Sequence, residues 1–299
     1  MTAFAFNMVK LNGALLLGIS SPNLDRRETE RALANDGTLH QTGAAVIRAA
    51  PMVSFSTIAM RAMFVILGTG DEVPFVALDG TNGVELIGAK ANSAAPGYLG
   101  TSTHASRKIA AGDCYLRRVS WSPGDVARCE IDIFGLSANG TTDPVVTSVI
   151  TLPTLGLNTE QMTLASLSLG GTAFTDIASL DIQISHQGEN NDEEICYSLG
   201  LPFPVLTKRA GTGGVTEIIL TAEILDLTTT LSNGACVAVF NSLNNLGVGL
   251  NTPTATVTLN TSLIRERTIA GADGRPAKRQ ITARATFDGT NKPCTIVTA

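Results

Sequence analysis

The segment Leu180-Asp181-Ile182-Gln183-Ile184-Ser185 alternates strictly between apolar and polar side chains. Successive side chains of a β-strand point to opposite faces, so this period of two predicts a strand with one buried and one solvated face. Residues 129–133, 254–259 and 281–287 have the same period. Asn-Gly and Asp-Gly pairs, which favour tight turns, occur between the alternating segments. The pattern predicts an all-β, hairpin-rich protein.

Helical periodicity is rare by comparison. Residues 24–34 are good helix formers, and residues 235–246 follow the turn pair Asn233-Gly234. Each predicts a short helix, and neither is long enough to organise the fold. The expected fold class is therefore all-β with one or two short helices.

The composition favours a subunit of an assembly. The chain has 299 residues, 44% of them hydrophobic and only 16% charged. This length suits two domains, and a surface short of charge is typical of subunit interfaces. The net charge of −5, with scattered basic residues, argues against tight nucleic-acid binding.

The expected location follows from what the sequence lacks. It has no apolar run of the roughly 20 residues that span a bilayer. The start, Met1-Thr2-Ala3, has no positively charged segment of a secretory signal, so synthesis in the cytoplasm is expected. Five widely spaced cysteines without a Cys-x-x-Cys pair predict buried, reduced thiols rather than disulfides or a zinc site: Cys114, Cys129, Cys196, Cys236 and Cys294.

An internal repeat appears when the chain is aligned with itself. Leu11-Asn12-Gly13 matches Leu169-Gly170-Gly171 at an offset of 158, and Ile19-Ser20-Ser21 matches Ile177-Ala178-Ser179 at the same offset. Near the ends, Gly140 to Pro144 matches Gly289 to Pro293 at an offset of 149.

The repeat predicts two related β-domains of sandwich or barrel type, residues 1–153 and 154–299. The change of offset by nine places extra residues in the first copy, where the Gly-, Ala- and Ser-rich stretch 68–104 is a candidate long loop. Two β-rich halves could also share short glycine-containing matches by chance.

With these elements in view, the chain resembles the tail tube proteins of long-tailed bacteriophages over nearly its whole length. In the second copy the resemblance lies in residues 167–172, 177–184 and 218–224. In the first copy it lies in four segments: residues 9–13, 19–22, 53–58 and 112–140.

The resemblance implies a structural virion protein whose β-sheets join across subunits into rings, and rings that stack into a tube for DNA. A duplicated subunit implies a trimer with pseudo-sixfold symmetry where single-domain relatives need six chains. The implied partners are further copies of the chain and other tail proteins such as the tape measure, terminator and distal tail proteins. Within the tube DNA should slide without specific binding. Glu130, Asp132 and Asp181 are candidates to face the lumen, and an outward or interface position is equally open for each.

The sequence offers no catalytic, cofactor-binding or metal site. His40, His104 and His186 are far apart and are expected to be polar surface or turn residues. The glycine stretches at 68–70 and 211–214 lack the phosphate-loop pattern, and no serine lies in a Gly-x-Ser-x-Gly elbow. The chain is therefore not expected to be an enzyme.

Two charged stretches have other interpretations. The acidic residues between Glu189 and Glu194 lack the ligand spacing of a calcium loop and predict a solvated loop. The run Asp25 to Arg31 fits an exposed short helix or a salt-bridge patch between subunits. Asn139-Gly140-Thr141 has the form of a glycosylation acceptor and is expected to be a turn.

Two alternative functions remain open at this point. A viral capsid protein with two fused barrels would also form pseudo-hexagonal trimers from a duplicated β-fold. A carbohydrate-binding or glycan-degrading β-module would need aromatic platforms, for which the chain offers Trp121 and three tyrosines: Tyr98, Tyr115 and Tyr197.

Overall fold

The protein is all-β in a computed structural model. The described residues are 4–16, 18–34, 41–68, 75–90, 104–151, 161–187, 195–197, 200–207, 215–244, 248–271, 276–290 and 292–299. They contain 22 strands and a single helix, α1 (Met60–Leu67). We refer to residues up to 151 as the first half and to those from 161 as the second half.

The strands of the first half are β1 (Phe4–Leu11), β2 (Ala14–Leu16), β3 (Ser20–Asp25), β4 (Glu28–Ala34), β5 (Gln41–Ala49), β6 (Met52–Thr57), β7 (Phe75–Ala77), β8 (Val84–Lys90), β9 (His104–Ile109), β10 (Gly112–Trp121), β11 (Arg128–Gly135) and β12 (Val145–Ile150). The strands of the second half are β13 (Met162–Leu169), β14 (Thr172–Phe174), β15 (Ile177–Gln187), β16 (Ile195–Tyr197), β17 (Pro204–Thr207), β18 (Val215–Ile224), β19 (Gly234–Leu243), β20 (Gly249–Ala270), β21 (Lys278–Ala285) and β22 (Cys294–Thr298).

Both halves have the same order of strand pairing. In the first half one sheet runs β12-β9-β8-β1-β2 and the other runs β10-β11-β6-β3. In the second half the long strand β20 belongs to both groups, because its residues 249–262 pair with β19 and its residues 262–270 pair with β21. The corresponding orders are β22-β20-β19-β13-β14 and β20-β21-β18-β15.

Matching details accompany the matching order. Asn12-Gly13 and Gly170-Gly171 both form two-residue turns with positive φ, the geometry that suits a tight hairpin. The β10/β11 pair has an irregularity at Arg117, and the β20/β21 pair has one at Arg267. Such bulges are specific features of a fold rather than random defects.

The two halves differ where α1 lies. Thr57 and Ile224 occupy equivalent places at the ends of β6 and β18. In the first half α1 follows and buries Met60, Met63, Phe64 and Leu67. In the second half three consecutive threonines follow Leu227, and the carboxylate of Asp226 accepts a hydrogen bond from the Thr228 backbone N–H at 2.7 Å. A β-branched run beside a side chain that bonds the backbone favours a turn over a helix.

Both helices predicted from the sequence are wrong. Residues 24–34 end β3 and form β4, which pairs with β5, and Arg27 has a φ of 46°. Residues 235–243 lie in β19 between β13 and β20, with alternate side chains buried. Helix propensity is a weak preference, and pairing with neighbouring strands overrides it.

The expected long loop at 68–104 also needs correction. The stretch contains β7 and β8, and β8 is a central strand between β1 and β9. Residues 69–74 and 91–103 lie outside the described residues. The offset between equivalent residues falls from 167 (Thr57 and Ile224) to 152 (Val84 and Cys236). The extra 15 residues of the first half therefore lie between β6 and β8, in the segment that contains α1 and β7.

The buried apolar side chains of both halves form one continuous core cluster. Residues 152–160, which include the predicted domain boundary, lie outside the described residues. The division into domains 1–153 and 154–299 therefore stays a prediction.

Candidate assembly interface

The two halves meet where β10 pairs with β15. Residues 118–121 of β10 lie opposite residues 183–180 of β15 in antiparallel register. Val119 and Ile182 form the apolar pair of this contact, and their exposed fractions are 0% and 1%. We call this contact the internal junction. It joins the two four-stranded groups into one row of eight strands, β20-β21-β18-β15-β10-β11-β6-β3.

An ion pair crosses the internal junction on the opposite face of the sheet. The Arg118 guanidinium donates to both carboxylate oxygens of Asp181 at distances of 2.5 to 3.0 Å, and Glu130 lies 3.8 Å away. The hydrogen bonds to Asp181 raise the pKa of Arg118. The indole N–H of Trp121 donates to the Thr163 hydroxyl at 3.0 Å, a second polar link between the halves.

We expect Arg118→Ala to lower the free energy of unfolding only slightly. The Arg118 side chain is 42% exposed, and exposed ion pairs contribute about 0 to 1 kcal/mol. Urea denaturation should therefore show a loss within about 1 kcal/mol that shrinks as salt screens the pair. A loss of several kcal/mol would contradict this view of the junction as mainly apolar.

Two further contacts hold the halves together. Phe64 of α1 packs against Phe240 of β19, with ring centroids 5.6 Å apart. The tip of the β16–β17 hairpin docks on the first half through three backbone hydrogen bonds: Phe203 N–H to the Gly140 carbonyl, Ser137 N–H to the Pro204 carbonyl and Ala49 N–H to the Pro202 carbonyl. The two halves are thus held together by strand pairing at the internal junction, by helix packing and by a docked turn.

The row of eight strands ends in two edges that have no further partner among the described strands. One is β3, and the other is residues 262–270 of β20. Because the pairing order repeats, β3 corresponds to β15 and this part of β20 corresponds to β10. The two open edges are therefore equivalent to the two strands that pair at the internal junction. They lie at opposite ends of the row of eight strands.

Burial at the β20 edge differs from burial at the internal junction. Ile269 corresponds to Val119 because both lie two residues after the matching bulges. Val119 has an exposed fraction of 0%, whereas Ile269 has 58%. An apolar position that is covered inside the chain is thus uncovered at the edge, and an exposed apolar edge strand is a possible site of pairing with another strand.

Several acidic side chains on the non-core face of the eight strands lie close to a basic side chain. Glu130, Asp132 and Asp181, the three residues proposed for the lumen, are all on β11 and β15. Glu130 and Asp181 contact Arg118, and Asp132 lies 3.2 Å from Arg117. In the second half the pairs are Arg284–Glu217 at 2.7 Å and Lys278–Glu223 at 3.3 Å. Each of these acids therefore has a base within 4 Å.

The structure places the other predicted residues as follows. His104 is fully buried in β9, so its expected place on the surface or in a turn is wrong. His40 and the acidic residues 189–194 lie outside the described residues, and His186 is in β15. Four cysteines are buried and free, as expected, and burial raises the pKa of each of these thiols: Cys114, Cys129, Cys236 and Cys294.

The charged run Asp25 to Arg31 makes contacts within the chain. Arg26 forms ion pairs with Glu28 and with Asp143, and its hydrogen bond to Asp143 raises the pKa of Arg26. The Arg27 guanidinium lies over the Phe134 ring, 5.5 Å from its centroid. The Asn139 side chain accepts hydrogen bonds from two following backbone N–H groups, which makes residues 139–142 a turn.

Of the four candidate aromatic platforms for a sugar, Trp121 has a described side chain. Trp121 lies at the internal junction, and its indole N–H is bonded to Thr163. Tyr98 is outside the described residues, and nothing is described of the side chains of Tyr115 and Tyr197.

Sequence reasoning missed the two open edges. The repeat at an offset of 158 relates β3 to β15, so it could have identified one edge once β15 was known to pair with β10. The alternation of apolar and polar residues within one segment does not predict which strand of the other half pairs with it. The sequence around Ile269 contains no motif that marks it as an edge residue.

No protein-family model and no curated protein sequence matches the chain. In the described part of the chain no group of three or more His, Cys, Asp or Glu side chains is placed to hold a metal ion. Among the same residues no helix is long and apolar enough to cross a membrane.

Proposed function

We propose that the chain is a structural virion protein, the major tail tube subunit of a long-tailed bacteriophage. Copies of it form stacked rings that enclose a channel for phage DNA. The proposal rests on the sequence resemblance and on a single structural observation. The two strands that pair at the internal junction each have an equivalent strand that is an open edge of the row. Its partners would be further copies of itself and the tape measure, terminator and distal tail proteins, and its location the phage tail.

The open edges favour head-to-tail association. One copy presents β3 and the next presents residues 262–270 of β20, so the contact joins two different surfaces and leaves one of each free at the ends. Such heterologous contacts produce a ring when the rotation closes. Closure also removes edge strands that would otherwise promote uncontrolled aggregation.

The width of the channel favours three chains. Each chain supplies eight strands, and neighbouring strands lie about 4.8 Å apart. Three chains then give 24 strands and a ring about 37 Å across between backbones, more if the strands tilt. Side chains projecting from the wall leave room for one DNA duplex, whereas six chains would double the width.

The sheet that faces the channel has its apolar side in the core, so its polar side lines the lumen. There each of the acids described above lies within 4 Å of a base. These bases are partly neutralised by the neighbouring carboxylates and would hold a phosphate backbone less tightly, which suits DNA that must slide.

Ring stacking is expected to depend on the β4–β5 hairpin. The hairpin is a separate two-stranded sheet, and the consecutive residues Val46 and Ile47 are 44% and 45% exposed.

We expect the double variant Val46→Glu/Ile47→Glu to form rings but few or short tubes, as seen by electron microscopy. Val297→Glu, at a 62% exposed site on β22, is the matched control and should form tubes of ordinary length. Tubes of ordinary length from the hairpin variant would exclude this stacking contact.

The proposed function is tested by negative-stain electron microscopy of the purified protein over a range of concentrations. Hollow tubes with threefold or pseudo-sixfold end views are expected. Monomers at every concentration would refute the proposal, and flat hexagonal arrays would favour the capsid alternative.

A further inference from the structure

We infer that the seam between neighbouring chains pairs residues 268–270 of β20 with residues 25–23 of β3 in a second copy of this chain. This inference rests on the proposed function and specifies the contact residue by residue. It places Thr268 opposite Asp25, Ile269 opposite Leu24 and Ala270 opposite Asn23.

The register follows from the internal junction, where Arg118, Val119 and Ser120 lie opposite Gln183, Ile182 and Asp181. On the β10 side, Ser120 pairs with Arg128 and Ala270 pairs with Lys278, and both strands have their bulge three residues earlier. The strands β10 and β20 therefore correspond at an offset of 150, which relates residues 118–120 to 268–270.

The β15 side is fixed in the same way. Asp181 pairs with Thr221 of β18, and Asn23 pairs with Ser54 of β6. Thr221 and Ser54 lie opposite Thr282 and Asp132, which are themselves equivalent residues of β21 and β11. Residues 23–25 therefore correspond to residues 181–183. The irregularity in β3 between Ser20 and Asn23 limits the seam to three pairs.

The seam differs chemically from the internal junction. Thr268 occupies the position equivalent to Arg118, and Asn23 occupies the position equivalent to Asp181. The Arg118–Asp181 ion pair therefore has no counterpart at the seam. Ile269 and Leu24 keep the apolar pair, and Leu24 is already packed against the core. The chain-to-chain contact should therefore depend little on salt, because it contains no cross-strand ion pair.

The test is an engineered disulfide between Asn23→Cys and Ala270→Cys in the full-length chain. Both positions are exposed, and directly opposed residues of antiparallel strands are within disulfide reach. Within one chain the two strands are seven spacings apart, about 34 Å, so a bond between them must join two chains. Mild oxidation of assembled protein should give a ladder of covalent oligomers on a non-reducing gel that ends at three chains.

Controls separate the register from the proposed function. Each single variant should give no ladder, and a mixture of the two single variants should give dimers only. The double variant Asn23→Cys/Thr268→Cys tests a register shifted by two residues. It should cross-link poorly, because the proposed register places Asn23 opposite Ala270. Tubes whose Asn23/Ala270 pair does not cross-link, or whose shifted pair cross-links better, would overturn the register while leaving the tube function intact. Absence of any assembly in the unmodified chain would overturn both.

Discussion

Ile269→Asp should abolish assembly of the chain while leaving the monomer folded. Ile269 is 58% exposed in the chain but would be covered by a partner strand at the proposed seam. Burying an isoleucine contributes about 1.5 to 3 kcal/mol, and burying an unpaired carboxylate costs several more. Each seam of a ring would lose this amount of association free energy. The concentration needed for assembly should therefore rise at least about 100-fold. Analytical ultracentrifugation over a concentration series measures this rise directly.

The matched control is Leu250→Asp, at a 41% exposed leucine on the same strand but distant from the seam. It should assemble like the unmodified chain. Ile269→Val, which keeps the apolar contact, should also assemble. Circular dichroism should show an unchanged melting temperature for Ile269→Asp monomers. Normal rings from Ile269→Asp would mean that the β20 edge is not a contact surface.

Phe64→Ala should produce the largest loss of stability among single substitutions in α1. Phe64 has an exposed fraction of 0% and packs against Phe240, so truncation leaves a cavity between the helix and the second half. Removing a buried phenylalanine costs about 3 to 5 kcal/mol. Guanidinium or urea denaturation of the monomeric Ile269→Asp background would measure this loss without interference from assembly.

Val65→Ala is the control in the same helix, because Val65 is 47% exposed. It should change the free energy of unfolding by less than about 1 kcal/mol. If Phe64→Ala cost no more than Val65→Ala, the helix would not be a structural link between the halves.

Local sequence patterns predicted the strands well where one face is buried. Leu180, Ile182 and Ile184 are buried as the alternation in β15 requires, and Ala255, Val257 and Leu259 are buried in β20. The turn at Asn12-Gly13 was also predictable, because both residues adopt positive φ, which this pair tolerates.

Other elements depended on distant partners. The helix formers at 28–34 became a strand because β5 pairs with them, and that pairing is not visible in their own propensity. In α1, apolar side chains are so frequent that its periodicity is hard to distinguish from that of a buried strand. The candidate interface was less predictable still, since the β10–β15 contact joins residues about 60 positions apart.

The paired charges on the polar face have a consequence for motion through the proposed tube. Opposite charges within 4 Å behave as small dipoles, and a dipole's field falls off faster with distance than that of a single charge. At physiological salt, screening over about 8 Å weakens it further. These pairs would therefore add only shallow wells and low barriers to the energy profile of a moving polyanion.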